Sequence, residues 1–279
     1  MDDKRDLTRE RIAQALERLA PPAPAAPDFA RARLFRHDPA AGSFIPAPDY
    51  GLSLDLLVGV ERQKAAVVEA FTRFAVGLPV NHVLLWGVRG AGKSSLVKAA
   101  FMAVAAGAPA LKLIEVDRDE IAAMPALFED LRDRNERFVV LCDDLSFEEG
   151  AAAAKALKSA LEGGVTGPPE NVVFVATSNR RHLMPREHDE ARGAIVAAED
   201  AEEEVSVSDR FGLWIGFPPM DQATYLAAVA VYAARFELFV ADLEERALRW
   251  AKLRGARSGR VAWQFTRDLA GELGKHLPV

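Results

Sequence analysis

The sequence contains a single cysteine, Cys142, among 279 residues. An intrachain disulfide is therefore excluded, and such usage suits a reducing compartment. Histidine is scarce, with five residues, and their spacing matches no metal-ligand pattern. Long apolar runs are missing too. The longest, residues 99–111, is interrupted by Gly107 and Pro109 and is too short to cross a bilayer. No basic start followed by an apolar segment is present, so no signal peptide is read and a soluble, cytoplasmic protein is expected. Basic excess is absent as well: 35 Lys and Arg against 41 Asp and Glu leave a net charge of −6. That argues against a whole-chain affinity for nucleic acid or membrane, while leaving room for a local basic face.

What the sequence does have is apolar content, 50% of residues, enough for a sizeable core. One stretch organises the rest. Residues 83–86 (V-L-L-W) are short and apolar, as a buried strand should be. Then follow Gly87, Val88, Arg89, Gly90, Ala91, Gly92, Lys93 and Ser94, with Ser95 next and a helical pattern behind it. This fits G-x-x-x-x-G-K-[ST] at every fixed position, with a strand before it and a helix after it. The residue types suit one task. The glycines let several backbone N–H groups converge on a dense anion. The helix N-terminus adds unpaired donors and a positive dipole end. In that role Lys93 reaches the β- and γ-phosphates of a nucleoside triphosphate and the Ser94 hydroxyl ligates Mg²⁺.

In chain order, residues 1–20 carry a helical apolar stripe, and residues 21–27 (P-P-A-P-A-A-P) are a proline-rich break. Residues 1–50 therefore read as an arm and linker, irregular over 28–50. A helix is expected from about residue 61 to 74, stopped by Gly77 and Pro79. Further strands are expected at 111–116, 138–142, 172–177 and 213–217. Helices alternate with them, opened by Asp117 with Glu120 and by Ser146 with Glu149 as capping boxes. An acidic segment occupies 187–204. Beyond residue 221 the strand signals stop and three helices fit, at 221–235, 242–254 and 258–273. The result is an α/β fold, a doubly wound five-stranded parallel sheet over residues 51–219, with a small helical domain over 220–279.

Ligands of open α/β sheets bind at the carboxyl ends of strands. Asp143 and Asp144 follow the third expected strand directly. Asp143 suits a hard Mg²⁺ ion, and Asp144 suits the orientation or deprotonation of an attacking water. Asn179 ends the fourth strand, where a neutral amide positions water; a turn asparagine is the competing reading. Arg210, just before the fifth strand, can complete a neighbouring subunit's site as an arginine finger does. An ion pair with Asp209 competes, as do Arg180, Arg181 and Arg186 for the role. Arg260, in the first turn of the last helix, is mildly unfavourable there unless a phosphate lies between it and the helix end; Arg257 is its rival. Cys142 reads as core.

Together these residues resemble the AAA+ ATPases over about residues 51–273. The runs L-L-W-G-V-R-G-A-G-K-S-S, L-C-D-D-L-S-F, A-T-S-N-R-R-H-L and S-D-R-F-G-L-W resemble, in particular, a bacterial branch whose domain has no assigned function. The resemblance implies a Walker A loop at 87–94, Walker B at 138–144, sensor 1 at Asn179, the arginine finger at Arg210 and sensor 2 at Arg260. It also implies that residues 56–63 lie beside the adenine. ATP and Mg²⁺ are the implied cofactors, and a homo-oligomer, ring-shaped in many members, acting on a protein client is the implied assembly. Two departures stand out. Asp144 replaces the usual glutamate, which leaves a nucleotide-gated binding module as an alternative to an ATPase. Paired aspartates also occur in helicase loaders, which leaves a DNA-linked role as a third reading. The loop at 117–119 lacks the aromatic residue of protein-threading members. No N-K-x-D run is present, which disfavours GTP.

Overall fold

The computed structural model describes Arg11 and residues 27–145, 151–179 and 207–277. The expected N-terminal helix, the cap at Ser146 and Glu149, the acidic segment and Arg180, Arg181 and Arg186 lie outside the described residues.

Five strands form where the apolar runs lie: β3 (Val83–Gly87), β4 (Leu111–Val116), β5 (Arg137–Cys142), β6 (Val172–Ser178) and β7 (Leu213–Phe217). Two more precede them, β1 (Leu34–Asp38) and β2 (Ser43–Ala47). They pair antiparallel as a hairpin, and β1 runs parallel to β4. The sheet therefore has seven strands rather than five, in the order β2-β1-β4-β5-β6-β3-β7. Residues expected to be irregular lengthen one edge. The hairpin escapes sequence reading because each strand is five residues long and only half-buried. Pro46 is tolerated because β2 is an edge strand, which needs no ladder donor on its open side.

Strands β3, β5 and β6 are largely apolar because both faces are covered. Alternate residues feed two cores. Phe138, Val140 and Cys142 face one cluster with α3 (Met124–Arg132) and α4 (Ala151–Glu162). Val139 and Leu141 face the other, with α1 (Glu61–Ala75) and α2 (Lys93–Ala105). The Asp117 side chain accepts from the Asp119 N–H at 3.2 Å and opens a 3-10 turn over Arg118–Ala123 before α3 begins. The expected single helix is thus two pieces.

A third cluster belongs to α5 (Gln222–Arg235), α6 (Leu243–Arg254) and α7 (Gly259–Glu272), centred on Tyr225, Phe265 and Leu269. Leu56 joins it from the segment ahead of α1. Asp221 caps α5 by accepting the Thr224 N–H at 2.7 Å, and Ser258 caps α7 through the Val261 N–H at 3.3 Å. Strand β3 lies between β6 and β7, both later in sequence. Its carboxyl end is the topological switch point where such sheets bind ligands.

Candidate functional site

The loop after β3 is shaped by steric necessity. Gly87 has φ +137°, and a Cβ there would sit 2.2 Å from the Phe217 carbonyl oxygen. Gly90 has φ +77°, and its Cβ would meet Ser258 Oγ at 3.0 Å and Arg260 Cβ at 3.1 Å. The Gly90 carbonyl accepts the Arg260 backbone N–H at 3.1 Å, tying the loop to the start of α7.

Lys93 begins α2 and is 6% exposed. Its ammonium donates to the carbonyls of Gly87 and Val88, both at 3.0 Å, and to Asn179 Oδ1 at 2.9 Å. All three of its protons are engaged. Burial lowers its pKa; Asp143 and Asp144 oppose that shift, and Arg260 reinforces it.

The two aspartates are held by β6. Thr177 Oγ1 donates to Asp143 Oδ1 at 2.5 Å and accepts the Asp144 N–H at 3.0 Å. Ser94 Oγ donates to the same Asp143 oxygen, and Asn179 Nδ2 donates to Asp144 Oδ1. Asp144 adopts φ +56°, uncommon for a residue with a side chain, at the sharp turn leaving β5. Ser94, Asp143, Thr177, Asp144, Asn179 and Lys93 thus form one connected network. Sequence reading missed Thr177, whose signal is its place two residues before Asn179 in A-T-S-N. Tyr50 was missed too; its hydroxyl donates to Ser95 Oγ at 3.2 Å.

These groups line a cavity of about 890 Å³. Residues 89–95 form one wall, and Leu56, Leu57, Val58 and Val60 another. Arg260 lines it from α7. Arg210 does not. It pairs with Glu162, not with Asp209, on the surface. It precedes β7, which runs parallel to β3, so it lies at the opposite end of the sheet from the loop. Arg257 contacts Gln222 at 3.4 Å and is likewise not part of the lining. Cys142 is buried, and burial, with Asp143 next in effect, pushes its thiol up to about 12, leaving it inert. Among the described residues no cluster of three His, Cys, Asp or Glu could cage a metal, and no helix is long and apolar enough to cross a membrane.

Sheet order, switch-point loop and helical layer define the class: this is the fold of the AAA+ P-loop ATPases. A Thermotoga maritima RuvB point mutant matches with a TM-score of 0.54 and 18% identity, over 82% of this chain and 68% of that one. Aeropyrum pernix Orc1, in complex with DNA, matches with a TM-score of 0.57 and 17% identity, over 81% of this chain and 61% of that one. This chain therefore spans less than two thirds of the Orc1 chain. Residues 30–273 match the model of a family described as protein of unknown function, DUF815, and the chain belongs to that family. No protein of curated function matches it.

Proposed function

We propose that this protein binds ATP with Mg²⁺ on the loop of residues 87–95 and hydrolyses it. The observation that carries the reading is the network joining Lys93, Ser94, Asp143, Asp144 and Asn179 at the mouth of one cavity. In this reading Lys93 and the loop amides hold the phosphates, and Arg260 reaches them from α7. Hydroxyl and carboxylate oxygens are hard donors, and Mg²⁺ on a nucleotide needs only one or two protein ligands besides phosphate and water. Ser94 and Asp143, already sharing a hydrogen bond, fit that need. The ion, when bound, neutralises charge developing on the phosphates. Asp144 orients or deprotonates the attacking water, and Asn179 holds that carboxylate in place. Residues 51–219 with the β1–β2 hairpin form the ATPase body, and residues 220–279 the lid that moves on it.

The reading extends to assembly. Arg210 is too far along the sheet to serve its own cavity, so it acts on the neighbouring copy's nucleotide in a homo-oligomer. The resulting motion works on a protein client. A DNA partner ranks last, because a net charge of −6 gives no general attraction to a phosphate backbone. The shorter Asp144, tied to Asn179, supports one second reading: a nucleotide-gated binding module with little turnover.

The test is phosphate release by wild type and Lys93→Ala across a range of protein concentrations, alongside ADP and ATP binding. Turnover that rises with concentration and vanishes in Lys93→Ala supports the ATPase. Tight ATP binding without turnover at any concentration moves the assignment to the binding module. Equal nucleotide binding by both proteins removes both readings.

A further inference from the structure

A surface helix ordinarily keeps charge on its outer side, and α5 does not. Its inner side is buried: Tyr225, Ala228, Val229 and Tyr232 pack into the core of the helical layer. Its outer side consists of Ala223, Ala227, Ala230 and Ala234, all exposed. No charged residue occurs from Gln222 to Ala234. A helix that is apolar all round is normally covered all round. Helix α6 shows the contrast within the same layer, with Glu244, Glu245, Arg249 and Lys252 exposed on it. The four alanines are spaced 4, 3 and 4 residues apart, the seam spacing of packed helices. At the end of α5 this seam runs into an open apolar groove of about 370 Å³, lined by Ala230, Ala234, Leu238, Val240 and Leu243. Phe239 borders the groove and is 78% exposed.

An alanine seam offers little area by itself, so its partner must bring large apolar side chains. A second copy of the same seam would bring only more alanine. The sequence ahead of residue 27 brings what is needed. Ile12, Leu16 and Leu19 are spaced 4 and 3 residues apart, matching the seam, and Ala15 lies among them. Positions i, i+3, i+4 and i+7 are those through which a helix anchors itself in a groove. Arg11, beside this stripe, is helical and exposed. Gln14, Glu17 and Arg18 supply a polar opposite side. An isolated helix of such a sequence is marginal in water, because most helical stability comes from packing an apolar face. Residues 21–27 then join the stripe to the β1 edge; seven residues in extended, proline-rich form cover about 22 Å. One chain thus holds two apolar stripes of the same spacing, one built of large side chains and one of small.

We propose that the outer face of α5 and the adjoining groove are the docking site of the N-terminal arm, with Ile12, Leu16 and Leu19 seated along the alanine seam. The inference stands apart from whatever the cavity binds. The test is disulfide trapping in the full chain. Cys142, buried and with its thiol pushed up to about 12, stays silent. Leu16→Cys is combined with Ala230→Cys and, separately, with Ala227→Cys. Gln14→Cys, on the opposite side of the arm, is the control. Both seam positions are exposed, so cysteine fits there. The expected result is a disulfide from position 16 to at least one seam position, formed at least about tenfold faster than from position 14. Gel mobility shows whether the arm comes from the same chain or from a neighbouring copy, and either supports the proposal. In a second measurement, Ala230→Cys alone reacts slowly with a maleimide. Adding Leu16→Asp, which puts a charge into the contact, speeds that reaction by at least about tenfold. Cys142 remains unlabelled throughout, which shows that the fold is intact. Equal trapping from positions 14 and 16, or labelling unchanged by Leu16→Asp, overturns the proposal. So does a disulfide joining two Ala230→Cys chains through position 230, which gives the face to a second α5.

Discussion

The Lys93 ammonium donates to the side-chain carbonyl of Asn179 at 2.9 Å, while the amide of the same Asn179 donates to Asp144. One side chain therefore links the cation proposed to hold phosphate to the acid proposed to orient water. Asn179→Ala frees a Lys93 proton and releases Asp144 together. ATP affinity should change by less than about threefold, since the freed proton offsets the lost support. Turnover should fall by about 100-fold, because the acid loses its orientation. Parallel binding and phosphate-release assays separate the two, and equal losses in both would contradict this division.

Thr177 holds both aspartates at once, through its hydroxyl proton to Asp143 and its oxygen to the Asp144 amide. Thr177→Val keeps the shape and removes both bonds. Supporting contacts of this kind are worth about 10- to 100-fold in metal affinity or activity. The Mg²⁺ concentration giving half-maximal turnover should rise accordingly, while ADP binding without Mg²⁺ stays as in wild type. Unaltered Mg²⁺ dependence would leave Thr177 a purely structural residue.

Arg210 is exposed on the surface with Glu162, away from its own cavity. Arg210→Ala should bind ATP normally and turn over at least about 1,000-fold more slowly. Mixing it with Lys93→Ala should restore part of the activity, since some interfaces then join an intact loop to an intact arginine. No recovery on mixing, with both variants forming the wild-type oligomer, would end the role in trans.

His82 carries the clearest pH dependence. Its Nδ1 accepts the Phe174 backbone N–H at 3.1 Å, and burial lowers its pKa from 6.5 to about 4. Between those values the unfolded chain binds the proton and the folded chain does not, so stability falls as pH falls through that window. From about pH 7 to about pH 5 the loss should be about 2 kcal/mol from this group alone. Urea unfolding at both pH values checks it, and His82→Gln should show a flatter dependence.

The sequence was most legible where physics leaves few options. A strand covered on both faces must be largely apolar, so β3, β5 and β6 could be read directly. A loop that crowds Phe217 and Arg260 must carry glycine at 87 and 90. Legibility faded where a residue's partner is distant in sequence. Thr177 looked like one more member of a buried strand until the turn after β5 brought two aspartates against it. Arg210 has its anion at Glu162, on the last turn of a helix that the sequence placed but could not orient. The hairpin at the sheet edge hid because its strands are short, half-solvated and carry Pro46.

Gly90 and Arg260 share a main-chain hydrogen bond, and a Cβ on Gly90 would already press on the Arg260 side chain. Main-chain bonds do not depend on rotamers, so this one works as an axle pin between the sheet and the helical layer. Any swing of α7 must tug on the loop's carbonyl, and any reshaping of the loop must lever α7. A single methyl at residue 90 would act as a wedge driven into that pivot.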